Sequence, residues 1–416
     1  MRSRLSRRRS RADDAIMRSV LISGAGIAGP TLAYWLVHRG FEVTIVERAP
    51  AFREGGYLVD FWGVGFDVAD RMGLIPRLRE VGYRMDRLRF LNERGETRSS
   101  LGPRTLHGAL GDRFLSIQRG DLARAIFDRL EGQVDVLFGT SIETIESHAG
   151  GVDVAFSRGP SARFDFLVGA DGLHSNVRSL VFEFPASEER FLGFVAAAFS
   201  ADRYPAREEH SYISFAEPGR QVSRYALRDD KTVFLLIAAV KTLPEVVSPG
   251  GRGFQDPSEQ KAWLRHAFEG VSWREGPEIL ARLEAADDLY CDAVTQVVLP
   301  YWSRDRVALL GDAAFCPSLL AGQGSAFAML GGYVLAHELA LTGGDPAALV
   351  AYERRLRPFI EKKQRAARSF ASSFTPSSNF GLFVRDQVMH LMNVPRLGGL
   401  AMSRMFKDRF TLPPPA

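Results

Sequence analysis

Short apolar runs and one longer amphipathic stretch follow each other in a regular order near the front of the chain. Ser19–Ser23 and Glu42–Val46 have the length and apolar content of buried strands, and Thr31–Arg39 between them has the apolar content of a helix. A strand, a helix and a second strand in this order predict a βαβ unit and hence a parallel sheet. The front of the chain therefore has the pattern of an α/β protein.

The pattern changes between about residues 185 and 300, where strand-like alternation is interrupted by turn signals such as EPGR and RDDK. Alternation with a period of two predicts a mainly antiparallel sheet. Beyond it, helical spacing of apolar residues predicts a long amphipathic helix from Asp345 to about Phe370 and a second helix from Phe383 to Met392.

These changes divide the 416 residues into five parts. They are a basic extension (1–16), the first part of a nucleotide-binding domain (17–184), a sheet domain for the substrate (185–300), the second part of the nucleotide-binding domain (301–344) and a C-terminal helical region (345–416). With 46% hydrophobic residues, a chain of this length can bury the cores of two or three domains.

Three glycines follow the first strand with the spacing of a dinucleotide-binding motif. Gly24 permits a tight turn, Gly26 lets a pyrophosphate approach backbone N–H groups at the positive end of a helix, and Gly29 lets helix and strand pack closely. Glu47 follows the second strand, where a carboxylate accepts hydrogen bonds from an adenosine ribose. A carboxylate there disfavours a 2′-phosphate, so the motif predicts FAD or NAD rather than NADP.

Two further apolar strands end in glycine and aspartate. Phe164–Val168 runs into GADG, which contains Asp171, and Val307–Leu310 runs into Gly311-Asp312. Ligands of open α/β sheets lie outside the carboxyl ends of the strands, so three such ends can line one extended dinucleotide. The three motifs together favour flavin binding, whereas a nicotinamide enzyme usually needs only the first.

The motifs GAGIAG, GADGLHSNVR and LLGDAAFCPSLLAGQG, in this order, resemble those of the single-component flavoprotein aromatic hydroxylases, the class with the para-hydroxybenzoate hydroxylase fold. GGYLVDFWG and the short GD loop look most like the tetracycline-inactivating monooxygenases and their actinobacterial relatives. The resemblance covers about residues 17–375. It implies a Rossmann-like FAD-binding domain, an interleaved, mainly antiparallel β-sheet substrate domain and a C-terminal helix.

The resemblance also implies roles for individual residues. Asp312 would hydrogen-bond the ribityl chain of FAD, Pro317 would lie by the isoalloxazine ring, and a helix starting at Gly322-Gln323-Gly324 would direct N–H groups at the flavin. Arg119 would contact the flavin side of FAD, with a surface ion pair as the alternative. The residues expected to hold FAD are Gly24, Gly26, Ile27, Ala28, Gly29, Glu47, Arg48, Arg53, Arg119, Asp171, Gly172, Gly311, Asp312, Pro317, Gly322 and Gly324.

In the family, one face of the antiparallel sheet roofs the flavin. Aromatic residues on the strands predicted here are therefore candidates for the substrate pocket, although an aromatic on a half-buried sheet is more often part of the core. The candidates are Phe194, Tyr212, Phe215 and Tyr225.

The activity that the resemblance implies is monooxygenation of an aromatic or polyketide-like small molecule, as in antibiotic or secondary metabolism. NAD(P)H reduces FAD, O₂ adds at flavin C4a, and the distal oxygen of this C4a-hydroperoxide passes to the substrate, so no side chain needs to act as a nucleophile. No second GxGxxG appears, so NAD(P)H is expected to bind transiently in a groove. A reductase or dehydrogenase without oxygen insertion is the main alternative. A halogenase is disfavoured because the five tryptophans form no WxWxIP motif.

The net charge of +4 has a local source. The first sixteen residues hold six arginines and two aspartates, and without them basic and acidic residues balance at 47 each. The body of the chain therefore offers no electrostatic argument for nucleic acid. The extension is expected to be disordered or to come from a start codon placed too early, and the alternative is a binding arm for an anionic partner.

Several sequence patterns are absent, and their absence bears on membrane insertion, disulfides, metal binding and the cellular compartment. It has no uninterrupted apolar run of about 18 residues, so no membrane span is expected. The cysteines, Cys291 and Cys316, match no metal spacing, and the histidines form no HxxxH or HExxH pair, so neither a disulfide nor a metal is expected. The expectation is a cytoplasmic monomer or homodimer.

Overall fold

The structure is a computed structural model that describes residues 17–52, 56–103, 105–106, 111–184, 188–206, 208–241, 256–394, 408 and 410–414, without the side chains of 369–374. The strands are β1 (Ser19–Ser23), β2 (Glu42–Glu47), β3 (Leu58–Phe61), β4 (Arg87–Leu91), β5 (Thr97–Leu101), β6 (Leu115–Gln118), β7 (Asp135–Phe138), β8 (Ile142–His148), β9 (Gly151–Phe156), β10 (Ala162–Phe164), β11 (Phe166–Gly169), β12 (Glu189–Asp202), β13 (Ser211–Glu217), β14 (Arg220–Ala226), β15 (Lys231–Ala239), β16 (Tyr290–Val297), β17 (Ser303–Arg304) and β18 (Val307–Leu309). The helices are α1 (Ala28–Val37), α2 (Val64–Arg71), α3 (Ile75–Val81), α4 (Arg119–Asp128), α5 (Asn176–Val181), α6 (Pro257–Phe268), α7 (Gly276–Ala285), α8 (Asp312–Phe315), α9 (Gly324–Leu341), α10 (Ala347–Phe374) and α11 (Asn379–Met392).

A six-stranded sheet with the order β17-β18-β11-β1-β2-β7 forms the centre of the part that the sequence assigns to nucleotide binding, called the nucleotide-binding part below. Its strands β18, β11, β1 and β2 are parallel, and the register aligns Ser23 with Gly169 and Gly169 with Leu309. The carboxyl ends of β1, β11 and β18 therefore lie side by side, as the three glycine motifs predict. The α/β class is confirmed.

Helix α1 begins at Ala28, three residues earlier than the apolar pattern predicts. Pro30 lies in its first turn, where a missing N–H costs nothing because that group has no acceptor within the helix. Gly29 allows this early start because the turn at Gly24 lies directly against it. The prediction of the helix start at Thr31 was therefore wrong.

Helix α9 crosses the nucleotide-binding part and packs against α1, α2 and α10. Nearly all of its residues are buried, and Gly332 permits close approach to α1, since a Cβ there would lie 3.0 Å from the Leu32 backbone nitrogen. The N-terminus of α9 is therefore fixed firmly relative to the glycine motif that precedes α1.

A seven-stranded sheet with the order β16-β12-β15-β14-β13-β4-β5 forms the second layer. Its neighbours are antiparallel except for β13 and β4. One face, which includes Phe199 and Phe234, packs on α6 and α7 and on Trp273 between these two helices. β4 and β5 come from a stretch that the sequence pattern assigns to the nucleotide-binding part, so the sheet extends beyond the predicted 185–300.

The C-terminal region contains the two predicted helices, although α10 ends four residues later and α11 begins four residues earlier than expected. Residues 408 and 410–414 are not helical and pack against the nucleotide-binding part. Asp408 Oδ2 accepts a hydrogen bond of 3.1 Å from the Val64 backbone at the start of α2, and the ring of Phe410 lies 5.3 Å from that of Phe359. Within the described ranges, every helix is too short or too polar to span a bilayer.

Candidate functional site

The three glycines after β1 have different surroundings. A Cβ at Gly24, where φ is +110°, would lie 2.5 Å from the Ala170 carbonyl oxygen, and a Cβ at Gly29 would lie 2.0 Å from the Gly24 carbonyl oxygen. A Cβ at Gly26 would meet nothing closer than Arg119 Nη2 at 3.8 Å. Close packing therefore requires glycine at positions 24 and 29, whereas Gly26 faces open space beside a guanidinium group.

Glu47 ends β2 next to this turn. Its Oε2 accepts a hydrogen bond of 2.9 Å from the Ala25 backbone, and its Oε1 accepts one of 2.8 Å from Ala49. The half-buried carboxylate is therefore oriented by the backbone, and each oxygen retains a lone pair for another donor. Arg48 follows it and is exposed.

Asp171, in the loop after β11, accepts hydrogen bonds from groups of the protein itself. It accepts hydrogen bonds of 2.5 Å from Ser175 Oγ and 3.1 Å from the Val177 backbone, at the start of α5. Burial raises the pKa of this carboxyl, and these hydrogen bonds oppose the rise. Gly172 next to it has a φ of +84° and open space where a side chain would be.

Arg178 was missed by sequence reasoning, although it ends the GADGLHSNVR motif. The side chain is buried and donates hydrogen bonds of 2.9 Å to the Ala313 carbonyl and 2.7 Å to the Leu173 carbonyl. It also forms an ion pair with Glu189. One guanidinium group thus joins the loop after β11 to α8, the short helix after β18.

Asp312 follows β18 after Gly311, whose φ is +66°. Burial raises the pKa of Asp312, and the nearby Arg119 guanidinium lowers it. A Cβ at Gly324, the first residue of α9, would lie 3.5 Å from Asp312 Oδ1. Arg119 is exposed, its Nη2 lies 3.8 Å from where a Cβ of Gly26 would be, and its charge also acts on the Asp312 carboxylate.

The segment around Pro317 is held in place by two buried glutamines. Gln296 Nε2 donates hydrogen bonds of 2.8 Å to the Pro317 carbonyl and 2.9 Å to the Gln364 carbonyl. Gln364 in α10 donates one of 2.7 Å to the Val297 carbonyl and further ones to Phe315 and Cys316, all from Nε2. Such support stabilises a strained backbone, here Ser318 with a φ of +106°.

The N-terminus of α9 has no side-chain cap. Gln323 precedes the helix, and its buried Nε2 has no hydrogen-bond partner among the described residues. Gly322 has left-handed backbone geometry and packs on Trp62, since a Cβ at this glycine would lie 3.5 Å from the indole ring. An uncapped helix start presents N–H groups and a partial positive charge to a ligand.

The predicted substrate candidates divide between the two faces of the seven-stranded sheet. Tyr212 pairs with Tyr225, and both point to the nucleotide-binding side, where Phe194 also contacts the loop after β18 through Leu320. Phe215 points the other way and stacks on Trp273, with 5.7 Å between ring centroids. Phe215 is therefore a core residue, because residues an odd number apart in a strand face opposite sides.

Further residues on the inner side of the sheet were missed. Tyr57 lies against Tyr290, with 5.0 Å between ring centroids, and His174 Nε2 lies 3.0 Å from Asp292 Oδ2. Tyr57 and His174 are within motifs that the sequence singled out, whereas nothing local marks Tyr290 or Asp292. Of the predicted FAD-binding residues, Arg53 lies outside the described residues.

These features fit an extended dinucleotide with a flavin end. Gly26 has no side chain, and the open space beside it and Arg119 suits a pyrophosphate. The carboxylates of Glu47 and Asp312 suit sugar hydroxyls. The uncapped start of α9 suits an electron-rich ring.

Comparison with known proteins leads to the same cofactor. A family model described as an FAD binding domain matches residues 17–367. A flavin-dependent monooxygenase of Legionella longbeachae serogroup 1 is 31% identical over 411 residues, which cover 95% of this chain and 97% of the relative. An uncharacterized protein, Rv1260, of Mycobacterium tuberculosis (strain ATCC 25618 / H37Rv) is 33% identical over 353 residues, covering 84% and 92%.

Solved structures share the fold. The tetracycline destructase Tet(51) has a TM-score of 0.79 and 29% sequence identity, with 96% of this chain and all of that chain covered. Klebsiella pneumoniae HpxO in complex with FAD and uric acid has a TM-score of 0.76 and 23% identity, with 94% and 96% covered, and shows a likeness of fold. The chain belongs to the FAD binding domain family, and it is an FAD-dependent monooxygenase, an oxidoreductase with FAD as its cofactor.

Proposed function

We propose that the protein uses NAD(P)H and O₂ to hydroxylate an aromatic or polyketide-like small molecule. The proposal rests on the way in which the six-stranded sheet and the seven-stranded sheet both contribute to the site. The three aligned strand ends suit FAD, and the inner face of the seven-stranded sheet presents Phe194, Tyr212, Tyr225 and Tyr290. This face packs on the loop after β18 through Leu320 and on β3 through Leu58. An aromatic wall opposite a flavin suits a flat ring system.

Within this proposal, the chain's own residues bind and orient the cofactor. The open side of Gly26 and the guanidinium of Arg119 would receive the pyrophosphate, and Glu47 would receive the adenosine ribose. Asp312 would accept hydrogen bonds from the ribityl chain, and the N–H groups at the start of α9, which lie near Asp312, would stabilise negative charge on the ring. The bound flavin supplies the oxygen-transfer chemistry.

The names of similar proteins support a choice of test substrates. Tet(51) is named a tetracycline destructase, and HpxO was solved with uric acid. Tetracyclines, phenols and polyketide aromatics are therefore suitable first candidates.

The test is oxidation of NADH and NADPH by the purified, FAD-loaded protein with each candidate, followed by mass spectrometry of the product. We expect one class to accelerate oxidation of the nicotinamide and to gain one oxygen atom, labelled when ¹⁸O₂ is used. A reduced product without added oxygen would contradict the proposal and favour a flavin-dependent reductase.

A further inference from the structure

The outer side of α11 is apolar and exposed. Six of the twelve large hydrophobic side chains that are exposed within the described ranges belong to this helix and the two residues after it, and each is between 43% and 75% exposed. Single exposed apolar side chains are normal, whereas a contiguous set marks an interaction surface. The six residues, called the α11 face below, are Phe380, Phe383, Val384, Val388, Leu391 and Val394.

The spacing of the α11 face follows the helix. Its residues recur at intervals of three and four, which places them in one stripe along the helix. The opposite side of α11 is buried through Leu382 and Met389, and Met389 packs with Phe90 and Leu101 of the seven-stranded sheet. The helix is therefore apolar on both sides, and among the described residues only the inner side is covered.

Charged side chains are turned away from the outer side of α11. The helix carries two of them, Arg385 and Asp386, with 12% and 6% of their side chains exposed. Arg385 lies over the ring of Phe90 at 3.9 Å, and Asp386 pairs with Arg98 at 3.1 Å and accepts a hydrogen bond of 2.9 Å from Ser99 Oγ. The exposed residues of the helix include no Asp, Glu, Lys or Arg. Such depletion of charge is a property of interface cores.

The lack of exposed charge distinguishes between classes of occupant. A helix that lies on a bilayer surface carries Lys and Arg on its polar side, which bind anionic headgroups. α11 exposes no such residue, and its other side is packed against the protein. A nucleic acid would need the same basic side chains. The occupant that suits this face is therefore another uncharged, apolar protein surface.

A second copy of α11 supplies such a surface. The face is close to symmetric about Gln387, because Phe380 and Val394 lie seven residues on either side of it and Phe383 and Leu391 lie four residues on either side. Two antiparallel helices related by a two-fold axis at Gln387 would set each member of these pairs against the other member in the partner. No like charges would meet between the two helix faces.

The size of the face meets the requirement for a specific interface. At the stated exposures, the two phenylalanines and four aliphatic residues offer roughly 500 Å² of apolar surface, since a whole aromatic side chain has about 150–250 Å². Two copies would therefore bury about 1,000 Å², the lower limit for a specific contact. A helix of 14 residues spans about 21 Å, which is long enough to place the whole face in the contact.

We propose that the protein forms a symmetric dimer in which the α11 face packs against the same face of a second copy. The contact lies at the β5 edge of the seven-stranded sheet, because α11 packs on β5 and Asn393 after the helix donates a hydrogen bond to the Ser100 carbonyl of that strand. This inference does not depend on the proposed hydroxylation.

The first experiment measures the mass of the FAD-loaded full chain by sedimentation velocity over a wide range of protein concentrations. We expect the wild type to have the mass of two chains at high concentration. Phe383→Glu should raise the dissociation constant about a hundredfold or more, because the glutamate occurs on both sides of the two-fold axis. Val350→Glu is the matched control, since Val350 is 61% exposed on α10, outside the α11 face, and this variant should behave like the wild type.

A wild type with the mass of one chain at every concentration would overturn the proposal, and another protein or residues 395–407, which lie outside the described residues, would then be the cover of this face. A dimer that Phe383→Glu leaves intact would overturn it as well. Flavin absorbance and circular dichroism check that the variants are folded. Phe380→Ser gives the same test without a charge if the glutamate prevents folding.

A cross-link tests the geometry of the contact. Gln387→Cys places an exposed thiol at the proposed two-fold axis, whereas the natural Cys291 and Cys316 are buried. A short bismaleimide should join two chains of this variant. Val350→Cys, with its thiol on α10, should remain a single chain under the same conditions. Equal cross-linking of the two variants, or none with Gln387→Cys, would contradict a two-fold contact through α11.

Discussion

Arg178 donates a hydrogen bond of 2.9 Å to the carbonyl oxygen of Ala313, although 135 residues separate them. The bond joins α5, which comes after β11, to α8, which comes after β18. Because both helices follow strand ends at the predicted flavin position, we expect the geometry of the cofactor site to depend on a side chain that does not need to touch the cofactor.

Replacing this arginine should therefore affect both stability and FAD binding. Arg178→Leu leaves the carbonyls of Ala313 and Leu173 without a donor, and we expect a loss of roughly 2 kcal/mol or more in the free energy of unfolding. Denaturant unfolding and FAD fluorescence titration measure the two effects. The control is Arg163→Leu, which removes an exposed ion pair with Asp153 and should cost less than about 1 kcal/mol. Similar losses in both variants would contradict the role of Arg178.

The glycine motif offers a pair of variants with different outcomes. Gly29→Ala places a Cβ 2.0 Å from the Gly24 carbonyl oxygen and should prevent correct folding, as seen by circular dichroism and solubility. Gly26→Ala fits without a clash and should fold normally, but its methyl group occupies the space expected for the pyrophosphate and should weaken FAD binding. Normal FAD affinity in Gly26→Ala would show that the pyrophosphate lies elsewhere.

Asp312→Ala removes the carboxylate expected to accept hydrogen bonds from the ribityl hydroxyls. FAD affinity should fall by roughly 1.5 to 3 kcal/mol, the range for a hydrogen bond to a charged group. Equilibrium dialysis of FAD against the apoprotein measures it, with Asp312→Asn as an isosteric control that should lose less. Wild-type affinity in a correctly folded Asp312→Ala protein would disprove the assignment.

Asp60 should make the apoprotein less stable as pH rises. Burial raises its pKa in the folded state above the unfolded value, so the folded state binds more protons between the two pKa values. Stability from this group is therefore full below the unfolded pKa and falls as pH rises to the folded pKa. Asp60→Asn should melt at a higher temperature than the wild type at neutral pH, and the difference should shrink in acid. A difference independent of pH would contradict this linkage.

Much of the site follows from local sequence. The strand β1, the glycines after it and Glu47 after β2 occur within one short segment, so their arrangement depends on turn geometry and strand length alone. The same applies to Gly311-Asp312 after β18. The sequence therefore predicts the cofactor, the sheet class and the three strand ends without a tertiary contact.

The local sequence pattern does not predict how two segments that are distant in the chain pack together. The alternation in β13 predicts that Tyr212 and Phe215 face opposite sides, but not which side meets α6 and α7 and which meets β3. Among the described residues, β4 and β5 join the seven-stranded sheet through the pairing of β4 with β13. Local sequence does not specify such pairing, because the hydrogen-bonding edge of one strand accepts many others.

The burial and the partners of Arg178 and Asp60 depend on tertiary structure for the same reason. An arginine in a helical motif and an aspartate in a short strand are ordinary features of a sequence, and both residue types are usually exposed. Folding places one against the Ala313 carbonyl and the other against the Ser116 hydroxyl. The chemistry of a charged side chain is set by its burial and its partners, and those are properties of packing between segments far apart in the chain.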